Sequence, residues 1–230
     1  MSERIGTLYI VATPIGNMED ITYRAVRILK EVDTILCEDT RTTGKLLSKY
    51  KIKNRTISYN AHSTKSKEQS IIKMLSEGEN VALVSDAGTP CISDPGILLV
   101  KTVYEKFGPD ASVVPIPGPS ALISALSASG ISSASFDFLG FLPHKKGRET
   151  LFKIISNNKN PVVFYESSHR IMKTLESLVE YCPEKEVVIA RELTKLYEEF
   201  LRGKPESLLL TLKHDTNKQK GEFVVIVDSK

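Results

Sequence analysis

Residues 81–96 read V-A-L-V-S-D-A-G-T-P-C-I-S-D-P-G, and this stretch predicts the fold of the chain around it. Its first five residues are apolar or small, which is typical of a strand buried on both faces. Asp86 and a Gly-Thr-Pro turn follow where that strand would end. Asp94 and Pro95 then suit the N-cap and the first position of a helix. The connection is either an ordinary loop or a binding loop, because small ligands bind at this edge of open α/β sheets.

Short apolar segments alternate with segments of helical period along the rest of the chain. Strands are predicted at residues 7–13, 34–37, 56–59, 113–116, 136–141, 162–165, 187–190, 197–201 and 223–227. Helices are predicted at residues 42–50, 67–77, 97–107, 120–129, 151–155, 171–181 and 206–212, with one more that Asp20 caps. Such alternation is typical of an α/β protein whose parallel sheet is covered on both faces.

The run P-I-P-G-P-S at residues 115–120 interrupts this alternation, because closely spaced prolines continue neither a helix nor a strand. A domain boundary is therefore predicted after residue 116. The predicted fold class is α/β, with two consecutive α/β domains at residues 1–116 and 117–230. The first is expected to hold a mainly parallel sheet with helices on both faces, and the second a smaller mixed sheet, with a cleft between the two domains.

Composition limits the class of protein. The 230 residues are 41% hydrophobic and 26% charged, which are ordinary globular values. No apolar run approaches the ~18 residues of a membrane span, and the apolar part of the N-terminal segment is too short for a signal peptide. These features predict a cytoplasmic protein without a membrane contact. Cys37, Cys91 and Cys182 are widely separated and the four histidines show no metal-ligand spacing, so no metal is expected.

Positive charge is concentrated in residues 40–76. This segment holds nine basic residues and one acid, a net charge of +8, so the rest of the chain, whose total is +3, carries −5. A solvated lysine-rich surface is one explanation. The other is a polyanionic partner, for which such asymmetry is the expected electrostatic footprint.

The sequence lacks the common motifs that bind nucleotides and the common motif that carries a catalytic serine nucleophile. It has no G-x-x-x-x-G-K-[ST] phosphate loop, no G-x-G-x-x-G after the first strand and no G-x-S-x-G nucleophile elbow. Phosphoryl transfer and dinucleotide redox chemistry are therefore disfavoured. The loops that remain at strand ends, residues 14–17, 86–96 and 117–121, suit a small polar ligand held largely by backbone groups.

Six segments carry a resemblance to a known family: V-A-T-P-I-G-N-M-E-D-I-T, C-E-D-T-R, S-D-A-G-T-P-C-I-S-D-P-G, P-I-P-G-P-S-A, Y-E-S-S-H-R and A-R-E-L-T-K. Together they resemble the tetrapyrrole-methylase superfamily, and more narrowly its cytidine 2′-O-ribose methyltransferases of small-subunit ribosomal RNA. The combination of P-I-G-N, E-D-T-R and S-D-A-G-T-P distinguishes these RNA enzymes from their tetrapyrrole relatives. The resemblance extends from Thr7 to Val227.

The resemblance implies an S-adenosyl-L-methionine-dependent enzyme, usually a homodimer, that binds this cofactor in the cleft between its two domains. Its implied substrate is a cytidine in the decoding region of 16S ribosomal RNA, presented as RNA or in the assembled small subunit. The first domain would provide the substrate site and part of the cofactor site, and the second domain the rest. The cofactor-binding residues that it implies are Pro14, Asp86, Gly88, Ile92, Ser93, Ser120, Ala121, Tyr165, Glu166, Leu193, Phe223 and Val224.

The implied reaction is attack of a ribose 2′-hydroxyl on a sulfonium methyl group. Much of the catalysis should be positioning, while a base or a nearby cation should help so poor a nucleophile. We predict Glu166 or Glu192 nearest the reaction, and Asp39 and Arg41 at the substrate. For each of them a structural ion pair or helix cap is the alternative. Other candidates at strand ends are Glu38, His169, Arg170, Arg191 and Lys195.

RNA would contact two basic regions of the sequence. The predicted phosphate-binding residues are Arg41, Lys45, Lys49, Lys51, Lys53, Arg55, Lys145, Lys146 and Arg148. Tyr23, Tyr59 and Phe141 are candidates to stack an unpaired base, with core packing as the alternative. Two other functions remain open at this point: a tetrapyrrole C-methyltransferase, which would not need a long basic arm, and a non-catalytic RNA-binding assembly factor.

Overall fold

The computed structural model describes residues 5–61, 63–132 and 134–230. The chain divides into two compact units, Met1–Ser120 and Ala121–Lys230, each built around one five-stranded sheet. The division follows the same proline-rich stretch that carries the predicted domain boundary. Within the described ranges, no helix combines the length and the apolar character that crossing a bilayer requires.

The sheet of the first unit is entirely parallel. Its strands are β1 (Leu8–Val11), β2 (Thr34–Cys37), β3 (Arg55–Ser58), β4 (Val81–Leu83) and β5 (Val113–Ile116). They are ordered β3-β2-β4-β1-β5, so β4 lies in the centre and pairs with both β1 and β2. The predicted parallel sheet is confirmed, although β4 ends at Leu83, two residues before its predicted end. Pro115 is accommodated because β5 is an edge strand.

Helices cover both faces of this sheet, as predicted. They are α1 (Tyr23–Glu31), α2 (Thr40–Lys49), α3 (Lys65–Ser76) and α4 (Ile97–Phe107), with short 3-10 helices at Met18–Asp20 and Gly108–Asp110. On one face, Leu29 of α1 and Leu47 of α2 pack into one core cluster. On the other face, Leu75 of α3 and Leu99 of α4 pack into another. Alternating strand residues separate the two cores.

Two predicted helix caps are wrong. Asp20 lies in the 3-10 helix, and α1 is capped instead by Thr22, whose Oγ1 accepts a hydrogen bond from the Ala25 N–H at 3.1 Å. Asp94 does not cap α4, whose N-cap is Gly96 and has no side-chain cap. Gly96 has φ +133°, and a Cβ there would lie 2.5 Å from the Leu83 side chain. The backbone at Gly96 is therefore not helical, and the helix begins at Ile97 and not at Pro95.

The second unit holds a mixed sheet, as predicted. Its strands are β6 (Asp137–Phe141), β7 (Val162–Ser167), β8 (Val187–Arg191), β9 (Glu199–Gly203) and β10 (Glu222–Val227). They are ordered β6-β7-β10-β8-β9, with β6 and β7 parallel and the other pairs antiparallel. Because β7 extends beyond its predicted end at Tyr165, Glu166 lies within a strand and not in the loop after it.

Helices also cover both faces of the second sheet. They are α5 (Ala121–Ser129), α6 (Arg148–Asn157), α7 (Ile171–Tyr181) and α8 (Pro205–His214), followed by a 3-10 helix at Thr216–Gln219. Phe152 of α6, Leu175 of α7 and Leu212 of α8 share one core with Phe223 of β10. Helix α5 contacts β8 and β10 with residues outside that core, so it covers the opposite face.

Candidate active site

Three loops are joined at the carboxyl edge of the first sheet, where the parallel strands β4, β1 and β5 end side by side. Thr13 and Gly88 exchange two backbone hydrogen bonds, of 2.9 and 3.0 Å. The Thr89 hydroxyl donates to the Pro119 carbonyl oxygen at 3.1 Å. Within the first unit, the predicted cofactor residues Pro14 and Gly88 therefore lie in adjoining loops. The threonines that join these loops were not among the predicted site residues.

The loop after β4 is held in an unusual conformation. Cys91 and Ser93 have φ values of +70° and +66°, a region that costs a non-glycine residue about 1–3 kcal/mol. Ile92 lies between them and is 45% exposed, although a large aliphatic side chain normally packs inside. Strain of this kind persists where the surrounding structure fixes it, and it clusters at ligand sites. The loop therefore presents Ile92 and Ser93, both predicted cofactor residues, at the surface.

Three acids form a carboxylate cluster, Glu38, Asp86 and Asp94, in the first unit. Glu38 follows β2 and Asp86 follows β4, and these two strands are parallel neighbours. Burial, together with the charges of Glu38 and Asp86, raises the pKa of Asp94 to about 7. Burial and the charge of Asp86 also raise the pKa of Glu38, against a backbone hydrogen bond from Asp86. Among the described residues, Glu38 Oε1 is buried without a hydrogen-bond partner. The cluster thus has uncompensated negative charge, which favours a cationic ligand.

Asp39 and Arg41 form a pair at the start of α2. The Asp39 carboxylate caps the helix by accepting from the Arg41 N–H at 2.8 Å, and it also accepts from the guanidinium at 2.7 Å. Hydrogen bonds from Arg41 lower the pKa of Asp39 to about 2. The Arg41 side chain is 87% exposed. In the E-D-T-R segment, Glu38 therefore belongs to the carboxylate cluster, while Asp39 fixes an exposed cation.

Glu166 is the centre of a buried ion-pair network in the second unit. Its carboxylate accepts from Arg170 Nε at 2.7 Å and from the Thr174 hydroxyl at 2.6 Å, and it lies 3.8 Å from Arg148. The two arginines also donate to the carbonyls of Leu142 and Pro143. The network ties the loop before α6 to β7 and α7. All the observed partners of Glu166 are thus structural ones.

Glu192 also has structural partners. It accepts from Lys195 Nζ at 2.8 Å and from the Glu222 N–H at 3.0 Å. Burial raises the pKa of Glu192, but these hydrogen bonds outweigh it and leave that pKa below its usual value. The neighbouring Arg191 donates to the carbonyls of Lys220, Asn217 and Tyr197, which holds this loop in place. Leu193 is buried beside them.

The remaining predicted cofactor residues of the second unit lie on both faces of its sheet. Tyr165 pairs with Val224 across β7 and β10, and Glu166 pairs with Phe223. Phe223 belongs to the core beneath α6, α7 and α8. Since adjacent strand residues point to opposite faces, Tyr165 and Val224 lie on the α5 side, where Ala121 is the first helical residue. Ser120 ends the first unit.

Most of the predicted RNA-binding cations are exposed. They are Arg41, Lys45, Lys49, Lys51, Lys53 and Arg55 around α2, and Lys145 and Lys146 before α6. Arg148 differs, because its side chain is only 15% exposed and pairs with Glu166.

The aromatic residues predicted to stack a base differ in their exposure. Tyr59 is 3% exposed in the core and donates to Glu68, so it is no stacking platform, whereas Phe141 is 57% and Tyr23 98% exposed.

Comparison with known proteins identifies the family. The sequence model of the family of tetrapyrrole (corrin/porphyrin) methylases matches residues 7–209. A ribosomal RNA small subunit methyltransferase I from Halalkalibacterium halodurans is 47% identical over 224 residues, which cover 97% of this chain and 76% of the relative. One of the same name from Thermotoga maritima is 46% identical over 226 residues, covering 98% and 100%. A third, from Escherichia coli O157:H7, is 48% identical over 225 residues, covering 97% and 78%.

The chain belongs to the ribosomal RNA small subunit methyltransferase I family. Solved structures agree on the fold of this family member. A cobalt precorrin-4 methyltransferase superposes with a TM-score of 0.69 at 16% identity, covering 96% of this chain and 94% of that one. A uroporphyrin-III C-methyltransferase from Thermus thermophilus, complexed with S-adenosyl homocysteine, superposes with a TM-score of 0.63 at 14% identity, covering 96% and 97%. At such identities the agreement concerns the fold alone.

Proposed function

We propose that the chain transfers a methyl group from S-adenosylmethionine to the 2′-hydroxyl of a cytidine ribose in the decoding region of 16S ribosomal RNA. The observation that supports this most is the 46–48% identity, over nearly the whole chain, to relatives named ribosomal RNA small subunit methyltransferase I. Solved structures of tetrapyrrole methyltransferases share only the fold, at 14–18% identity. The RNA substrate is therefore favoured over a tetrapyrrole.

The loops at the edge of the first sheet fit S-adenosylmethionine, which carries an ammonium group and a methyl group activated on a positively charged sulfur. A cation of this kind would lower the repulsion between Glu38, Asp86 and Asp94. The strained, exposed segment around Ile92 and Ser93 lies in the same loop. The proposed cofactor residues in this unit are Pro14, Asp86, Gly88, Ile92, Ser93 and Ser120. Those proposed in the second unit are Ala121, Tyr165, Glu166, Leu193, Phe223 and Val224.

The predicted catalytic residues divide by chemistry. A carboxyl group with a pKa of about 2 is a weak proton acceptor, so we assign Asp39 to orienting Arg41. The exposed Arg41 guanidinium suits an RNA phosphate. Glu166 and Glu192 are both engaged by neighbouring cations. Positioning the ribose and excluding water would then supply most of the rate enhancement.

The partners of the enzyme follow from the same proposal. A cytidine in a single-stranded part of the RNA can present its 2′-hydroxyl, whereas a nucleotide inside a duplex cannot splay out without losing its pairing. The exposed cations around α2, with Lys145 and Lys146, would bind phosphates. Homodimerisation, carried over from the family resemblance, and a cytoplasmic location, predicted from the composition, complete the proposal.

Methyl transfer to defined RNA tests this function. The purified protein is incubated with tritiated S-adenosylmethionine and either small-subunit RNA or assembled small subunits. We expect label in one cytidine. Replacing that cytidine by 2′-deoxycytidine should end the transfer, because the nucleophile is absent.

Three outcomes would contradict the proposal. Continued methylation of the deoxy substrate would place the methyl group on the base. Transfer to uroporphyrinogen, with none to RNA, would establish a tetrapyrrole methyltransferase. Tight RNA binding without transfer to RNA or subunits would indicate a non-catalytic assembly factor.

A further inference from the structure

Helices α1 and α2 form one continuous surface on the first unit. Both pack on the same face of the sheet. The Tyr50 hydroxyl, just after α2, donates a hydrogen bond to the Met18 carbonyl, just before α1. Farther along, the Asn54 amide donates to the carbonyls of Leu29 and Val32 at 2.9 and 2.6 Å. The chain that leaves α2 is thus tied to both ends of α1.

The exposed side of this surface is strongly basic. We call it the α1–α2 basic face, and it consists of Arg24, Arg27, Lys30, Arg41, Lys45, Lys49, Lys51 and Lys53, all of them exposed. Arg55 is exposed too, but it lies two residues before Ile57 in β3 and therefore on the α3 side of the sheet. Across the described residues, the ion pairs of these cations are Arg27 with Glu31 and Arg41 with Asp39. The nearby acids Glu19 and Asp20 precede α1. Cations therefore outnumber acids across the face.

The spacing of the cations on α2 works against the stability of the helix. Arg41, Lys45 and Lys49 recur every four residues, and α2 contains no acidic residue. Like charges at this spacing destabilise a helix. Arg41 pairs with Asp39, but no ion pair within the described residues involves Lys45 or Lys49, and cations left in this way suit an external polyanion.

The opposite face of the same sheet is different, although its lysines belong to the same +8 segment of sequence. Helix α3 carries Lys65, Lys67 and Lys73 and packs on the other core. Lys67 donates to the Ser58 carbonyl at 2.8 Å, and Lys73 pairs with Glu77. The fold thus divides the basic segment and adds three cations from α1, which sequence reasoning had left out.

An exposed aromatic residue stands at one end of the α1–α2 basic face. Tyr23 is the first residue of α1 and is 98% exposed. Arg27 is four residues farther along, so the two side chains share one face of the helix. An aromatic ring beside arginines is the arrangement on which unpaired nucleic-acid bases stack.

We propose that the α1–α2 basic face is the docking surface for single-stranded ribosomal RNA, with the α1 cations binding phosphates and Tyr23 stacking a base. This rests on the proposed function and extends it to α1. It also excludes the α3 lysines from RNA binding. The partner is RNA because the face combines dense cations with a fully exposed ring.

Paired neutralisations on opposite faces test this proposal. Arg24→Gln with Lys30→Gln removes two charges from α1, and Lys65→Gln with Lys73→Gln removes two from α3. Binding of a small-subunit RNA fragment is measured from 50 to 200 mM salt. The α1 pair should weaken binding about ten-fold and flatten the salt dependence by about one to two units of slope. The α3 pair should leave both unchanged.

Tyr23 is tested by removing its ring. Tyr23→Ala should weaken RNA binding about five-fold or more, whereas Tyr23→Phe should retain wild-type affinity. Thermal melting should match the wild type in every variant, because all the replaced side chains are exposed. The affinity for S-adenosylmethionine should also match it, because none of these residues lies in the cofactor loops.

Equal effects of the α1 and α3 pairs, or no effect of the α1 pair, would overturn this proposal. So would wild-type binding by Tyr23→Ala. These outcomes differ from failure of the proposed function, in which the wild-type protein itself would transfer no methyl group to RNA.

Discussion

The Asp86 carboxylate accepts a hydrogen bond from the backbone N–H of Asp39 at 3.1 Å. This bond joins the residues that follow the parallel neighbours β4 and β2. Asp39 in turn caps α2 and fixes Arg41, the first cation of the α1–α2 basic face. The proposed cofactor loop and the proposed RNA-binding helix are thus connected through two acids. Asp86 therefore has a structural role besides its proposed role in binding the cofactor.

Two substitutions of Asp86 separate these roles. Asp86→Asn keeps an oxygen for the Asp39 N–H, while Asp86→Ala removes it. We expect both variants to lose S-adenosylmethionine binding detectable by calorimetry, because both lack the negative charge. Asp86→Ala should also lower the free energy of unfolding by about 1 kcal/mol, and Asp86→Asn should not. Wild-type cofactor affinity in either variant would contradict the proposed cofactor site.

Asp94 should make stability depend on pH. Burial, with repulsion from Glu38 and Asp86, raises its pKa in the folded state from 3.8 to about 7. Between these values the folded state holds a proton that the unfolded state has released, so the free energy of unfolding falls as pH rises from about 4 to about 7. Asp94→Asn removes this contribution. Its melting temperature relative to the wild type should therefore be higher at pH 8 than at pH 5.

A control separates this effect from a general change in charge. Asp110→Asn alters one exposed acid in the 3-10 helix after α4. Its melting temperature relative to the wild type should be the same at both pH values.

A cationic cofactor should also bind the wild-type protein more tightly at pH 8 than at pH 6, since Asp94 is then ionised. If Asp94→Asn shows the same pH dependence of binding as the wild type, Asp94 is not part of the cofactor site.

The lysines of α2 and the turn after it are expected to bind RNA without touching the cofactor. Changing Lys45, Lys49, Lys51 and Lys53 to Glu should weaken RNA binding at least ten-fold and flatten its salt dependence. Cofactor affinity should stay the same. The matched control reverses four exposed lysines on α3 and α4, namely Lys65, Lys73, Lys101 and Lys106. If the two quadruple variants bind RNA equally well, net charge and not this surface determines affinity.

The helices and strands could be predicted from the spacing of apolar residues, because that spacing shows which side of an element is buried. Helices α4 and α7 have the bounds that the pattern predicted. The caps did not follow, since they depend on contacts distant in sequence. Gly96 precedes α4 with φ +133°, and its Cα lies so close to Leu83, thirteen residues earlier, that no Cβ fits there. No local signal distinguishes that packing from a helix that begins at Pro95.

The candidate site shows the same limit. The strand-end position of Asp86 could be read from the sequence, and so could the positive charge of residues 40–76. That Asp94 joins Glu38 and Asp86 required the course of the loop after β4. Arg148 forms an ion pair with Glu166, and this could not be predicted because the two residues lie on elements that are distant in sequence. Sequence shows which residues carry charge, but tertiary contacts decide which charges remain available.

Glu166 offers the clearest test between a catalytic and a structural carboxylate. Its side chain is fully buried, and Arg148 and Arg170 both pair with it. Glu166→Gln leaves two largely buried arginines without their carboxylate partner, which should cost about 3–5 kcal/mol and lower the melting temperature by on the order of 10 °C. The control Glu149→Gln breaks the exposed pair with Lys153 and should leave the melting temperature close to that of the wild type, because solvent screens such a pair. At saturating S-adenosylmethionine and below the melting temperature of Glu166→Gln, we expect kcat for methyl transfer within a few-fold of the wild type, with an unchanged pH profile. A large loss of kcat in a folded Glu166→Gln protein would instead restore Glu166 as a residue at the reacting atoms.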